Sequence, residues 1–140
     1  MGKYLDLLDA YKSLIEAIKH AGIHTSTKVH LNFVDAEELE HGKVDLLKSA
    51  NAILVPARFG SRGFEGKIAA ALYAREIRIP YLGICYGLHA VVIDIARNCA
   101  GLEGAHSAEI SECPEHPVIA LITEWRDREG VQEKRGEDSD

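Results

Sequence analysis

The sequence predicts an α/β fold, an open and largely parallel sheet with helices on both faces. Short apolar runs alternate along the chain with longer stretches in which apolar residues recur at helical spacing. Two of the runs, NAILVP and IPYLGIC, are continuous rather than alternating, which is typical of strands covered on both faces. Alternation of strands and helices favours parallel pairing, because each helix returns the chain to the edge where the next strand begins.

The first part of the chain predicts a helix, a strand and a short helical piece. The helix begins after Asp9, a suitable N-cap, and ends at Gly22. Its apolar face consists of Leu14, Ile15, Ile18 and Ala21. Residues 28–35, KVHLNFVD, alternate apolar and polar side chains and predict a strand, and residues 44–49 predict the short helical piece.

The second part predicts two helices and three strands. The run NAILVP is followed by the alanine-rich helix FEGKIAAALYAREI, and IPYLGIC is followed by a helix that Gly101 can close. PVIALITEW is the last apolar run. An apolar stripe on the later helix predicts its buried side, with Cys99 as a core residue; the stripe comprises Leu88, Val91, Val92, Ile95 and Cys99.

The final segment differs from the rest in composition. Residues 124–140 are mostly charged, mix both signs and have no apolar period. Two interpretations are open: a solvated, flexible tail, or a functional loop whose packing partners lie beyond Asp140. We therefore expect a partial domain over residues 1–123, truncated after its last apolar strand, followed by a charged, lid-like segment over residues 124–140.

Composition limits the classes of function. A formal net charge of −6 without a lysine–arginine cluster argues against nucleic-acid binding. No apolar run approaches the roughly 18 residues of a membrane span, and the N-terminus lacks the layout of a signal peptide. Three cysteines form neither a disulfide framework nor a CxxC pair, and the seven histidines show no metal-ligand spacing. A reducing cytoplasm is the expected location.

The segment Gly83-Ile84-Cys85-Tyr86-Gly87 predicts a nucleophile elbow, a sharp turn from a strand into a helix that exposes a reactive side chain. Small residues on either side of the cysteine let the two segments approach closely. The helix N-terminus favours a thiolate and an oxyanion, and the N–H of Tyr86 can donate to that oxyanion. A structural cysteine is the alternative. Cys113, in the loop SECPEHP, has no such setting.

A second glycine-bearing loop, PARFGSRGFEGK, follows the preceding strand. It matches neither a Walker A loop nor GxGxxG, because Ser61 and Ile68 stand where Walker A needs glycine and Ser or Thr. The loop leaves the sheet edge beside the elbow, so one of its backbone N–H groups can complete an oxyanion hole.

Four segments together resemble the glutamine amidotransferase domain of CTP synthase. They are GKYLDLLDAYKSLIEAIKHAG, AILVPARFGSRGFEGKIAAALYARE, IPYLGICYGLHAVVIDIARN and HPVIALITEWRD, in that order. The resemblance runs over residues 2–140 and covers only the first part of that domain. It implies the flavodoxin-like sheet of class I glutamine amidotransferases. It also implies glutamine hydrolysis through a cysteine thioester, with ammonia passed on to convert UTP to CTP.

The resemblance also implies roles for particular residues. Cys85 matches the nucleophile, and the loop at Ala57 matches the family's Gly-Gly-Phe-Gly loop, which supplies the second oxyanion donor. The expected oxyanion and substrate-binding residues are Arg58, Phe59, Tyr86, Gly87, Leu88, His89 and Glu109. No cofactor is expected in this chain, since ATP, Mg and GTP act in the full-length family. The implied partners are glutamine and a CTP synthase amidoligase domain, and an oligomer is possible.

Several departures from the family pattern predict an incomplete site that is inactive alone. Ala57 and Arg58 replace two glycines, and Arg58 is expected to obstruct the glutamine pocket. His89 replaces the usual glutamine and Tyr86 the usual leucine. The family's catalytic histidine, followed closely by a glutamate, has no counterpart among the seven histidines. We expect His89 to pack or contact a ligand rather than act as the base.

Two other functional classes stay open. One is a non-catalytic amidotransferase-like domain that serves interaction or regulation. The other is an unrelated cysteine-elbow hydrolase or isomerase, which the order of the four matching segments disfavours.

Overall fold

The computed structural model describes residues 11–57, 61–121, 124–126 and 132–134. Its helices are α1 (Lys12–His24), α2 (Ala36–Glu40), α3 (Phe64–Ile77) and α4 (Tyr86–Asn98), with a 3-10 turn at Val44–Leu47. Its strands are β1 (Ile53–Val55), β2 (Tyr81–Gly83), β3 (Ala105–Ser107), β4 (His116–Ile119), β5 (Glu124–Arg126) and β6 (Gln132–Lys134). β1 pairs with β2 and β3 with β4, both in parallel, while β5 and β6 form an antiparallel pair.

Helix α3 packs closely against its neighbours because its buried side carries mainly small residues. Ala70, Ala71 and Ala74 are almost completely buried. One apolar cluster joins this alanine face to β1 and to the segment before it, through Val34, Leu39, Leu47, Ile53 and Val55. A second cluster joins α3 to α4 and consists of Phe64, Ile68, Tyr86, Ala90 and Ile93. Burial of each large apolar side chain contributes about 1.5–3 kcal/mol.

Arg97 connects α4 to the elements on either side of it. Its guanidinium donates two hydrogen bonds to the Glu65 carboxylate of α3, at 2.9 and 3.1 Å, and one to the carbonyl of Ala105 in β3, at 2.8 Å. The side chain thus places the start of β3 relative to α3 and α4. The loop after β3 is the one that carries Glu109.

The predicted strand over residues 28–35 is wrong, because residues 28–34 belong to no strand or helix. Asp35 instead caps α2, its carboxylate accepting from the N–H of Glu37 at 2.9 Å. Helix α1 also continues beyond Gly22 to His24, and the predicted N-cap Asp9 lies outside the described residues. The predicted short helical piece is confirmed as the 3-10 turn.

The prediction that β2 is covered on both faces is also wrong. Leu82 is 57% exposed, and its neighbours in the strand are half-buried. Among the described residues β2 pairs only with β1, so it has the exposure of an edge strand.

The predicted buried stripe of α4 is not its most buried side, because Val91 and Val92 are only half-buried and the other three members are exposed. Leu88 and Ile95 are about half exposed and Cys99 is exposed, so Cys99 is not a core residue. The helix instead buries its opposite side, which consists of Tyr86, Gly87, Ala90, Ile93, Asp94 and Ala96. Both sides are rich in apolar residues, and small residues favour the side that packs against α3.

The charged segment contains the β5–β6 pair, and residues 127–131 and 135–140 lie outside the described residues. The domain boundary at residue 124 and the lid-like character of the segment stay predictions. None of the described helices combines the length and apolarity that a membrane span requires.

Candidate active site

The predicted elbow is present at Cys85. Strand β2 ends at Gly83, α4 begins at Tyr86, and Cys85 occupies the N-cap position between them with φ 53° and ψ −113°. A positive φ is unusual for a residue with a Cβ and stores strain in the backbone. Cys85 is exposed to solvent. This is the geometry that the spacing GxCxG predicts.

The two glycines of the elbow are required by close backbone contacts. A Cβ added at Gly83 would lie 2.3 Å from the carbonyl oxygen of Gly87, and one at Gly87 would lie 2.3 Å from that of Val55. The end of β2, the first turn of α4 and the end of β1 therefore meet without intervening side chains. Glycine at these positions is what permits the turn.

Hydrogen bonds hold the elbow in place from both sides. The N–H of Ile84 donates to the carbonyl of Val55 at 2.9 Å, and the carbonyl of Cys85 accepts from Leu88 and His89 at 2.7 and 3.1 Å. The Tyr81 hydroxyl donates to the carbonyl of Gly87 at 2.9 Å. Cys85 precedes the first helical residue and thus lies at the N-terminus of α4, where the helix dipole carries partial positive charge.

The side chain of Tyr86 is buried in the apolar cluster between α3 and α4. Its ring makes edge-to-face contacts with Phe64, at 6.0 Å between centroids, and with His89, at 5.1 Å. The ammonium of the buried Lys67 lies 5.8 Å from the Tyr86 ring and 5.9 Å from that of Phe64. Burial, followed by the negative charge of Glu109, raises the pKa of the Tyr86 phenol, which therefore stays neutral at physiological pH.

Glu109 and His89 meet although they are distant in the sequence. The His89 Nδ1 lies 3.9 Å from the Glu109 Oε2, on the side of α4 that faces the loop after β3. That loop is ordered by Ser107, whose buried hydroxyl accepts from the Glu109 N–H at 3.2 Å and whose carbonyl accepts from Ile110 and Ser111. The Glu109 carboxylate, 40% exposed, is thus a negative charge held near the first turns of the elbow helix.

The structure brings together six of the eight residues expected at the site. Five lie in or beside the first turns of α4, namely Cys85, Tyr86, Gly87, Leu88 and His89, and Glu109 joins them from the loop after β3. Leu88 extends outward and is 53% exposed. Arg58 and Phe59 lie outside the described residues, as does the predicted obstruction of the pocket by Arg58. The functional roles of all eight residues stay predictions.

Sequence reasoning missed the side chains that contact the ring of Tyr86. Phe64 and Lys67 contact its ring, and His106 lies 5.5 Å from Phe64, ring centroid to ring centroid. One feature of the sequence points to Lys67: it is the only charged residue in the apolar part of FEGKIAAALY after Glu65. Its burial against two aromatic rings depends on tertiary packing and is not visible in that pattern.

A separate cavity of about 640 Å³ lies between α1 and the β1–β2 pair. Its apolar lining includes Leu14, Ile18, Val29 and Ile53, and Cys85 is not part of it. Among the described residues no group of three or more His, Cys, Asp or Glu side chains is arranged to hold a metal ion.

Comparison with known proteins identifies the class to which this fold and elbow belong. Residues 6–136 match the class-I glutamine amidotransferase family, and the chain belongs to that family. It is also similar to the solved glutaminase domain of Trypanosoma brucei CTPS with bound acivicin, at 34% identity and a TM-score of 0.81. The match covers 93% of this chain and 51% of that one, so the chain spans about half the length of the solved domain. These findings confirm the predicted fold class and the resemblance to the CTP synthase glutaminase domain.

Proposed function

We propose that the Cys85 elbow binds glutamine and attacks its side-chain amide, as the glutaminase part of a CTP synthase. The observation that carries this proposal is the strained, exposed Cys85 between a parallel strand and the N-terminus of α4. Membership of the amidotransferase family and the similarity to the T. brucei domain support glutamine as the substrate.

In the proposed reaction the Cys85 sulfur forms a bond to the amide carbon of glutamine, and the carbon–nitrogen bond then breaks. The departing nitrogen takes up a proton and leaves as ammonia, and water hydrolyses the thioester to glutamate. The N–H of Tyr86, at the start of α4, donates to the oxyanion of the intermediate. The Glu109 carboxylate attracts the α-ammonium of the bound amino acid.

We also propose that these 140 residues do not complete the reaction on their own. Hydrolysis of a thioester needs a general base, and none of the seven histidines is followed closely by a glutamate in the way the family requires. The Ala57-Arg58 loop replaces the glycines that present the second oxyanion donor. Transfer of ammonia to UTP, with ATP, Mg and GTP acting on an amidoligase domain, belongs to the same proposal.

A non-catalytic role is the second candidate, and one observation favours it. Tyr86, His89 and Arg58 all depart from the family pattern within the segments expected to contact glutamine. If these changes prevent binding, the amidotransferase fold serves interaction or regulation instead.

Selective alkylation of Cys85 tests the proposed site. The chain is incubated with acivicin, the compound bound in the T. brucei domain, or with an electrophilic glutamine analogue, and each cysteine is followed by mass spectrometry. Cys99 and Cys113 are also exposed and serve as internal controls. We expect Cys85 to be modified at least tenfold faster than either, and L-glutamine, but not D-glutamine, to slow its modification.

Equal modification of the three cysteines, unaffected by L-glutamine, would contradict a glutamine site and favour the non-catalytic role. A Cys85→Ala variant checks that the labelled peptide has been assigned correctly.

A further inference from the structure

We infer that His89 makes glutamine binding dependent on pH by competing with the ligand for the Glu109 carboxylate. The inference rests on the proposed function, because it assigns the α-ammonium group of glutamine to Glu109. It goes further in giving His89, which departs from the family pattern, a role as a residue that controls affinity.

The inference depends on the surroundings of one buried nitrogen atom, the Nδ1 of His89. The Nδ1 of His89 is inaccessible to solvent and has no hydrogen-bond partner among the described residues. Its distance of 3.9 Å from the Glu109 Oε2 is too long for a hydrogen bond and short enough for one to form after a shift of about 1 Å. The His89 side chain is 21% exposed, so protons can reach the ring from solvent.

Among the described residues around His89, Glu109 is the group that a protonated His89 ring would bind. Tyr86 contacts the His89 ring from the same helix, and the Lys67 ammonium lies 5.8 Å from the Tyr86 ring. The backbone carbonyl of Cys85, one turn earlier, accepts from the backbone N–H of His89. Within the described part of the chain, Glu109 is the carboxylate that lies within 4 Å of the His89 ring nitrogen.

Protonation changes what Glu109 can bind. A neutral His89 leaves the carboxylate available to an ammonium group. An imidazolium would donate from Nδ1 to Glu109 and neutralise it, so that the ammonium of an amino acid would lose its partner. The proton and the amino acid therefore exclude each other, and affinity falls as the pH falls.

The size of the effect is limited by the stoichiometry of the competition. One proton that excludes one ligand can raise the Kd at most about tenfold for each unit by which the pH falls. Free glutamine keeps its own charges between pH 5.5 and 7.5.

The experiment measures the Kd of L-glutamine by calorimetry at pH 5.5 and 7.5, with Cys85→Ala in every variant so that no turnover occurs. We expect the Kd to rise severalfold at pH 5.5 when His89 is present and to stay nearly constant in His89→Gln. At pH 6.5, in buffers of different ionisation enthalpy, binding should release protons with His89 and none with His89→Gln.

Two comparisons isolate the ammonium group. The Kd of 4-carbamoylbutanoate, which is glutamine without its α-ammonium, should not rise at pH 5.5. Glu109→Gln should bind glutamine weakly and with the same Kd at both pH values.

The possible results separate this inference from the proposed function. Glutamine binding with the same pH ratio in the parent and in His89→Gln would overturn the inference and leave the glutamine site standing. No saturable binding at either pH in any variant would overturn both.

Discussion

Gly87 lies against the carbonyl oxygen of Val55, which would be only 2.3 Å from a Cβ at this position. The contact joins the first turn of the elbow helix α4 to the end of β1. Because both partners are backbone, neither can yield by changing a rotamer. The position of Cys85 at the sheet edge therefore depends on the absence of a single methyl group two residues later.

Gly87→Ala is expected to destabilise the chain by about 2–3 kcal/mol, since an overpacked backbone contact must be relieved by moving the helix. Urea unfolding followed by circular dichroism measures the change. Gly101→Ala is the matched control: Gly101 has open space around its Cα and a φ of 69°, so its cost is about 1 kcal/mol of backbone strain. Equal losses in the two variants would contradict the close-contact explanation.

The buried Asp94 is expected to be a main link between α3 and α4. Its carboxylate, which is 0% exposed, accepts from the Arg75 Nε at 2.8 Å and Nη2 at 3.2 Å and from the Asn98 amide at 2.9 Å. Asp94→Ala should cost about 2–3 kcal/mol. This is below the loss typical of fully buried pairs, because the Arg75 side chain is 35% exposed and can be hydrated.

Thermal unfolding of Asp94→Ala beside Glu16→Ala checks this prediction. Glu16 pairs with Lys19 at 2.8 Å, but both side chains are about half exposed. Because water and salt screen such pairs, they contribute little to the free energy of unfolding. A clear drop in Tm is expected for Asp94→Ala and little change for Glu16→Ala. Similar Tm values for the two variants would contradict a structural role for the Arg75–Asp94 pair.

Tyr81 is expected to give the stability of the chain an alkaline limit. Burial, followed by the negative charge of Asp94, raises the pKa of its phenol, so the folded state keeps the proton where the unfolded state loses it. The stability associated with the neutral phenol is therefore complete below about pH 10, the ordinary tyrosine pKa, and is lost as the pH rises above it.

Tyr81→Phe separates the hydrogen bond to Gly87 from this titration. At pH 7 the variant should be about 1 kcal/mol less stable than the parent, because the hydrogen bond is lost. At pH 11 the parent loses about 1.4 kcal/mol through ionisation of an ordinary tyrosine in its unfolded state, so the difference should disappear. Urea unfolding at the two pH values, with Tyr73→Phe as a control for removal of a hydroxyl, checks this. A constant difference would contradict the raised pKa.

The elbow could be predicted from the sequence because its determinants are local. Two glycines, a cysteine and the change from an apolar run to a helical pattern all lie between Tyr81 and Leu88. Helices α3 and α4 were predictable for the same reason, since their periods are contained within 13 or 14 residues.

What could not be predicted depends on partners that are distant in the sequence. Residues 28–35 have the alternation of a strand, but only Asp35 at their end forms a β-bridge, and alternation alone does not determine pairing. The stripe containing Leu88 and Ile95 has the period of a buried face, yet the small residues opposite it pack more closely against α3. The approach of His89 to Glu109 spans 20 positions and depends on how Arg97 and Ser107 place the loop after β3.

The last prediction is that the 140-residue chain, assayed alone, does not release ammonia from glutamine at an enzymatic rate. Loss of one oxyanion donor costs roughly 100- to 1000-fold, and loss of the general acid–base partner roughly a further 100- to 10,000-fold. From a typical kcat of about 10 per second, the combined loss leaves a rate of about 10⁻³ per second or less. Ammonia is measured with a coupled enzyme assay, with Cys85→Ala as the blank. Alkylation of Cys85 needs neither the second donor nor a base, so labelling without ammonia release is the expected pair of results. Steady release that Cys85→Ala abolishes would show that these residues already form a working glutaminase, and the absence of both release and labelling would favour the non-catalytic role.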